Sequence, residues 1–220
     1  MEYFTLNNGI KMPMAGIGVF MMSPAEAESA VESALKSGVR LIDTANGYMN
    51  ESGTCRGIKK SGVAREGIFL VTKLWPTVYE KDTAVDETLK RLGTDYIDLL
   101  FLHQPTANWR EGYRQIEKAY KEGKVKAIGL SNFPNDLLRE AIETMEIKPR
   151  WCRWRRILTS RRPNLRRFLP KPGWDLWRGI LSDTVTRLLL NSLYLESLER
   201  NTAKQMPRLF FVGMFKAEML

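Results

Sequence analysis

Tyr96-Ile97-Asp98-Leu99-Leu100-Phe101-Leu102-His103 is the stretch on which the fold turns. Its second half is an unbroken apolar run closed by a histidine, the pattern of a strand covered on both faces. Thirty residues upstream, Gly67-Ile68-Phe69-Leu70-Val71-Thr72-Lys73 has the same form and closes on a lysine. Thirty further back, Val39-Arg40-Leu41-Ile42-Asp43 closes on an aspartate, and 28–29 residues downstream Lys126–Ser131 closes on Ser131-Asn132. Helical stretches over Glu51–Lys60, Thr83–Leu92 and Trp109–Glu122 lie between these runs, and another over Asp136–Met145 follows them.

Strand–helix alternation of this kind predicts an α/β fold. The strand ends then separate a barrel from an open sheet. In a (β/α)8 barrel of the TIM type, residues at the C-terminal ends of successive strands face one shared site. An open sheet would scatter Asp43, Lys73, His103 and Ser131 across a switch point. The barrel is favoured, but about five β/α units cannot close one.

Upstream, Tyr3–Leu6 and Ile10–Met12 read as a hairpin turning at Asn8-Gly9. Met14–Phe20 is the first buried strand. Ser23-Pro24-Ala25-Glu26 is a capping box with proline in the first helical position, opening a helix that should run to Gly38.

A chain of 220 residues suits one domain. With no signal-peptide pattern and no long apolar run, neither secretion nor a membrane span is expected. Two cysteines, Cys55 and Cys152, lack metal-ligand spacing and suit a reducing, cytoplasmic setting. The net charge of +9 is unevenly spread. Residues 1–150 balance at 20 basic and 20 acidic, whereas residues 151–220 hold 14 Lys+Arg against 5 Asp+Glu and four of the six tryptophans. The two parts need separate explanations.

Asp43, Tyr48, Lys73 and His103 form the set that carries chemistry. A phenol with a pKa of ~10 is a poor acid near neutrality. A neighbouring ammonium lowers that value, and a carboxylate holds the ammonium in place. Such a tyrosine protonates an alkoxide as hydride reaches a carbonyl carbon, while His103 orients the carbonyl oxygen. Singly, each residue has a plainer reading as a cap, a solvated strand end or a structural histidine. Four at one barrel face make coincidence a poor account.

Gly16-Ile17-Gly18-Val19-Phe20, Leu41–Ala45 with Tyr48, Asn50-Glu51, Thr72-Lys73-Leu74-Trp75, Asp98-Leu99-Leu100 with His103-Gln104-Pro105, and Ile128–Phe133 together resemble the aldo-keto reductase family. The likeness runs over residues 3–149, on the branch of diketogluconate and glyoxal reductases. It implies NADPH as cofactor, a small aldehyde or ketone as substrate, and a monomer in the intact family. Tyr48 matches the family's proton donor, Lys73 its pKa-lowering lysine, Asp43 the supporting aspartate and His103 the substrate-orienting histidine. Gly18, Val19, Asp43, Ser131 and Asn132 match cofactor-binding positions; Phe20 and Trp75, with His103, match the substrate pocket. Gly16 and Gly18 lack the third glycine of a Rossmann fingerprint. Ser52, Thr54 and Cys55 depart from the family pattern, and Cys55 is a candidate redox thiol.

After Pro149 the likeness stops, and residues 150–220 read as a separate basic, Arg/Trp-rich tail. Arg150-Trp151-Cys152-Arg153-Trp154-Arg155-Arg156 has the residue types of a polybasic arm for nucleic acid or a membrane surface. A shifted reading frame explains it more simply. Let Arg150–Thr159 be encoded as AGG TGG TGC AGG TGG AGG CGC ATC CTT AC. Regrouped one base earlier behind a C, the triplets spell Gln-Val-Val-Gln-Val-Glu-Ala-His-Pro-Tyr, resembling the family's sixth strand. Trp174–Val185 and Met206–Lys216 regroup likewise into segments resembling the seventh strand and a later helix. Codon choice frees only one base of each regrouped triplet, so three segments in order are a poor match to chance.

The tail is therefore expected to be a frameshifted reading of a reductase gene, with no nucleic-acid or membrane partner. It lacks the family's carboxamide-binding glutamine, the tyrosine that stacks on nicotinamide and the late phosphate-clamping strand. An open parallel edge is expected after the fifth strand, with Leu188–Leu198 as an amphipathic segment able to patch it. The rival readings are a Schiff-base aldolase using Lys73, an inactive fragment, and an accidental polybasic binder.

Overall fold

Asn8-Gly9 reverses the chain because Gly9 takes a left-handed φ of 83° at no steric cost. The flanking strands β1 (Tyr3–Thr5) and β2 (Lys11–Pro13) pair antiparallel with Phe4 opposite Met12. The computed structural model describes residues 2–155, 176–179 and 210–213, the last two stretches and 151–155 by backbone only.

Five β/α units follow. β3 (Ala15–Gly18) leads to α1 (Pro24–Lys36), β4 (Leu41–Asp43) to α2 (Glu51–Ser61), and β5 (Phe69–Leu74) to α3 (Ala84–Leu92). β6 (Leu99–Leu102) leads to α4 (Trp109–Lys121), and β7 (Ile128–Ser131) to α5 (Asn135–Thr144). Strands β3 to β7 are neighbours in chain order and all parallel. The strands are shorter than the apolar runs suggest, although cross-strand bonds reach back beyond them, as from Phe69 N–H to the Arg40 carbonyl and from Lys126 N–H to that of Ile97.

Period-two alternation sorts the strand residues into two cores. Leu41, Phe69, Val71, Leu99, Phe101 and Ala127 pack together inside the curved sheet, closed from below by Leu6 and Met12 of the hairpin. Ile42, Leu70, Leu100, Leu102, Ile128 and Leu130 face outward into the helices. Both faces are apolar, which is why these runs show no polar alternation.

The predicted capping box is present: Ser23 Oγ accepts from Glu26 N at 3.3 Å, and Glu26 Oε2 accepts from Ser23 N at 2.8 Å. α1 then lies closely against α2. A Cβ on Gly53 would stand 2.0 Å from the Pro24 carbonyl oxygen, and one on Gly57 would stand 2.5 Å from that of Glu28. Backbone cannot yield there as a flexible side chain would. Gly53→Ala is expected to destabilise the protein by about 1–3 kcal/mol, read as a lower urea midpoint.

One expectation changes beyond β7. Its edge is not left open, because β8 (Trp151–Arg155) pairs parallel with it, Gly129 opposite Trp151 and Ser131 opposite Arg153. β9 (Leu176–Gly179) pairs parallel with β8. β10 (Phe210–Gly213) pairs antiparallel with β3 at the other end. Ladder hydrogen bonds are made by backbone groups, so a segment whose side chains show no strand pattern can still occupy an edge. The sheet order runs from β10 to β9, with no pairing between those two among the described residues. Leu188–Leu198 lies outside the described residues, as does most of the three regrouped segments.

Candidate active site

Asp43, Lys73, His103 and Ser131 share the inward parity of the interior core and stand at or just past the ends of β4, β5, β6 and β7. The register steps upward around the sheet, Asp43 lying opposite Val71, and Lys73 opposite Phe101. Asp43, Lys73 and His103 therefore rise like a stair around one mouth, and Ser131 stands level with His103. Spacing in the chain has become convergence in space.

The Lys73 ammonium is 1% exposed and donates to Asp43 Oδ1 at 2.5 Å and to the Thr44 carbonyl at 2.7 Å. A buried cation so placed is compensated by charge and hydrogen bonds together. Its Nζ lies 4.9 Å from the centre of the Tyr48 ring. Tyr48 ends the short turn Asn46–Tyr48, after which Met49 takes a left-handed φ of 58° and the chain enters α2. The Tyr48 ring also meets the His103 ring edge-on, with 5.8 Å between centres. Phe20 lies 4.9 Å from Tyr48, and Trp75 lies 4.9 Å from His103. The tetrad and both expected pocket aromatics therefore surround one point.

The expected cofactor positions divide. Asn132 sits at the end of β7 with a left-handed φ of 64°, its Nδ2 donating to the His103 carbonyl at 3.1 Å and to Ser131 Oγ at 3.2 Å. Its Oδ1 and the Ser131 hydroxyl are an acceptor and a donor, which is what a carboxamide needs. Val19 is wholly buried; its N–H donates to the Asp43 carbonyl and its own carbonyl accepts from Asn50. Its side chain therefore belongs to the core, and its backbone groups fix the loop after β3.

Two residues that carried the resemblance, without a chemical role assigned, have structural work at the mouth. Asn50 stands at the N-cap of α2 yet makes no cap bond. Its side chain is fully buried, donates to the carbonyls of Val19 and Met22, and accepts from Thr44 Oγ1 at 3.0 Å. Glu51 is 2% exposed; it accepts from Thr72 Oγ1 and from Arg91 Nε, each at 2.7 Å. Burial pushes its carboxyl above the ordinary range, against the opposing pull of Thr72, Arg91 and the Lys73 ammonium.

Cys55 is buried, with its Sγ where a Cβ on Gly93 would come within 2.6 Å, so it packs α2 on α3 and is not an accessible redox thiol. Asp98, another motif residue, works at the opposite end of the barrel, accepting from Arg65 and from the Leu70 N–H. Outside Trp75 a cleft of about 570 Å³ is lined by residues including Asn46, Thr77, Glu87 and Arg91; no tetrad residue lines it. Among the described residues no metal-ligand cluster occurs and no helix is long and apolar enough to cross a membrane.

Known proteins are similar to this chain in sequence and in fold. The chain is 45% identical over 150 residues to morphine 6-dehydrogenase of Pseudomonas putida, covering 66% of this chain and 51% of that protein. It is 44% identical over 149 residues to glyoxal reductase of Bacillus subtilis (strain 168), covering 66% and 54%. The chain thus spans about half the length of the curated relatives it matches. Among solved structures, an aldo-keto reductase enzyme from a Medee basin deep-sea metagenome library superposes with a TM-score of 0.77 at 37% identity, covering 92% of this chain and 76% of that one. A Bombyx mori aldo-keto reductase in complex with NADP superposes with a TM-score of 0.74 at 25% identity, covering 93% and 76%. The model of the aldo/keto reductase family matches residues 14–153. The resemblance read from the motifs holds, and the chain belongs to the aldo/keto reductase family.

Proposed function

We propose that Asp43, Tyr48, Lys73 and His103 are the proton-handling site of an NADPH-dependent reductase of small aldehydes and ketones. The observation that carries this reading is the buried Lys73–Asp43 pair, with the Lys73 ammonium 4.9 Å from the centre of the Tyr48 ring and the His103 ring 5.8 Å from it. When bound, the nicotinamide supplies the hydride. Ser131 and Asn132 would hold its carboxamide. His103 orients the carbonyl oxygen, Tyr48 delivers the proton to that oxygen, and Lys73 lowers the cost of the phenolate left behind. Phe20 and Trp75 wall the substrate and keep water from it. Glyoxal reductase among the relatives favours small carbonyl compounds as the substrate class.

Residues from about 150 onward are, in this reading, a shifted frame of the same gene, so the 220-residue chain lacks much of the cofactor site and has little turnover of its own. The basic tail then has no evolved partner. The intact family form is monomeric and cytoplasmic. A Schiff-base aldolase needs a neutral Lys73, and an aspartate 2.5 Å away keeps that amine charged. With the frame restored, the protein is expected to oxidise NADPH in the presence of a small aldehyde and to form the matching alcohol. Aldehyde consumption that proceeds without any nicotinamide would replace this reading with the aldolase.

A further inference from the structure

Asn50 and Glu51 are adjacent at the start of α2, and each grips a threonine next to a tetrad residue. Asn50 accepts from the hydroxyl of Thr44, which follows Asp43. Glu51 accepts from the hydroxyl of Thr72, which precedes Lys73. Asn50, Thr44 and Thr72 are wholly buried and Glu51 nearly so, which is an expensive place for four polar side chains unless each bond is made. Asparagine is among the best residues for capping a helix, yet Asn50 leaves its own helix uncapped and ties other segments together instead.

The ties converge on one atom. The Thr44 carbonyl, on the residue whose hydroxyl Asn50 holds, receives the Lys73 ammonium at 2.7 Å. Thr72, held by Glu51, sets the backbone from which the Lys73 side chain departs, on the opposite face of β5. Asn50 also draws in the carbonyls of Val19 and Met22, which bracket Phe20 of the substrate wall. Tyr48 lies only two residues before Asn50. One short segment therefore brings in the proton donor and also braces the groups that tune it.

We propose that Asn50 and Glu51 are positioning residues which, through Thr44 and Thr72, hold the Asp43–Lys73 pair at the distance from Tyr48 that sets the acidity of its phenol. This rests on the reductase reading above. The outer end of the brace is Arg91, whose Nε bonds Glu51 while its Nη2 donates to Thr88 of α3, so α3 anchors the assembly.

The test uses the full chain with 13C in the tyrosine ring carbons, following phenol ionisation by NMR and assigning Tyr48 by its loss in Tyr48→Phe. In the parent chain Tyr48 is expected to ionise below the ~10 of a free phenol. Thr44→Val and Thr72→Val keep shape but remove the hydroxyl. Each is expected to raise the Tyr48 midpoint by about half a unit to one unit, the scale of one lost hydrogen bond. Thr44→Ser and Thr72→Ser should return it, with the other tyrosine signals as internal controls. If the valine variants lower the melting temperature yet leave the Tyr48 midpoint in place, the brace is scaffolding only and the proposal is overturned. An ordinary midpoint in the parent chain would instead remove the reductase reading, and this proposal with it.

Discussion

Tyr48→Phe is expected to lower aldehyde reduction by ~10²–10⁴-fold in the protein with its frame restored, the usual worth of a positioned general acid. The change removes one oxygen from a half-buried ring whose apolar contacts with Phe20 and His103 remain, so the wall of the site survives. The loss should therefore fall on kcat with KM for the aldehyde little changed, the mark of an interaction made in the transition state. Steady-state kinetics at saturating NADPH check this. Near-native turnover in the variant would remove Tyr48 from the mechanism.

Lys73→Met should act on two quantities at once. It leaves the Asp43 carboxylate buried without its cation, and breaking such a pair costs about 3–5 kcal/mol. It also strips the ammonium from beside the Tyr48 ring, so the phenol returns toward its ordinary acidity and reduction falls severely. The double variant Asp43→Leu with Lys73→Met separates the two effects. It is expected to recover most of the lost stability, because no unpaired charge remains, while recovering none of the activity. Urea denaturation and the reduction assay on the same samples report both. A double variant no more stable than Lys73→Met would show that burial of Asp43 is not the source of the loss.

The fold up to β7 was legible because its signals are local. Ser23 and Glu26 announce the start of α1, Asn8-Gly9 the hairpin, and four apolar runs of similar spacing the parallel strands. The convergence of Asp43, Lys73 and His103 was legible because polar residues closing such runs have few other places to go. Asn50, Thr44 and Thr72 were not legible as a brace. An asparagine before a helix reads as a cap, and a threonine in an apolar strand reads as an ordinary β-branched residue. Only the pairing of Asn50 with Thr44 and with the carbonyls of Val19 and Met22 in the loop after β3 distinguishes them. Cys55 failed in the opposite sense, since a thiol's exposure is a tertiary property and this one lies beneath Gly93. The pairing of β8 was unreadable for another reason. Its side chains carry no strand pattern, whereas the bonds that hold it are made by the backbone.

The nucleotide sequence across the codon for Arg150 tests the central claim, that a reductase site and a foreign tail share one interrupted gene. Removing or restoring one base there should open a frame continuing past 220 residues. That frame should spell the segments resembling the sixth strand, the seventh strand and the later helix, in that order. Stop codons in the alternative frame within the stretch that should encode the sixth strand would contradict the account.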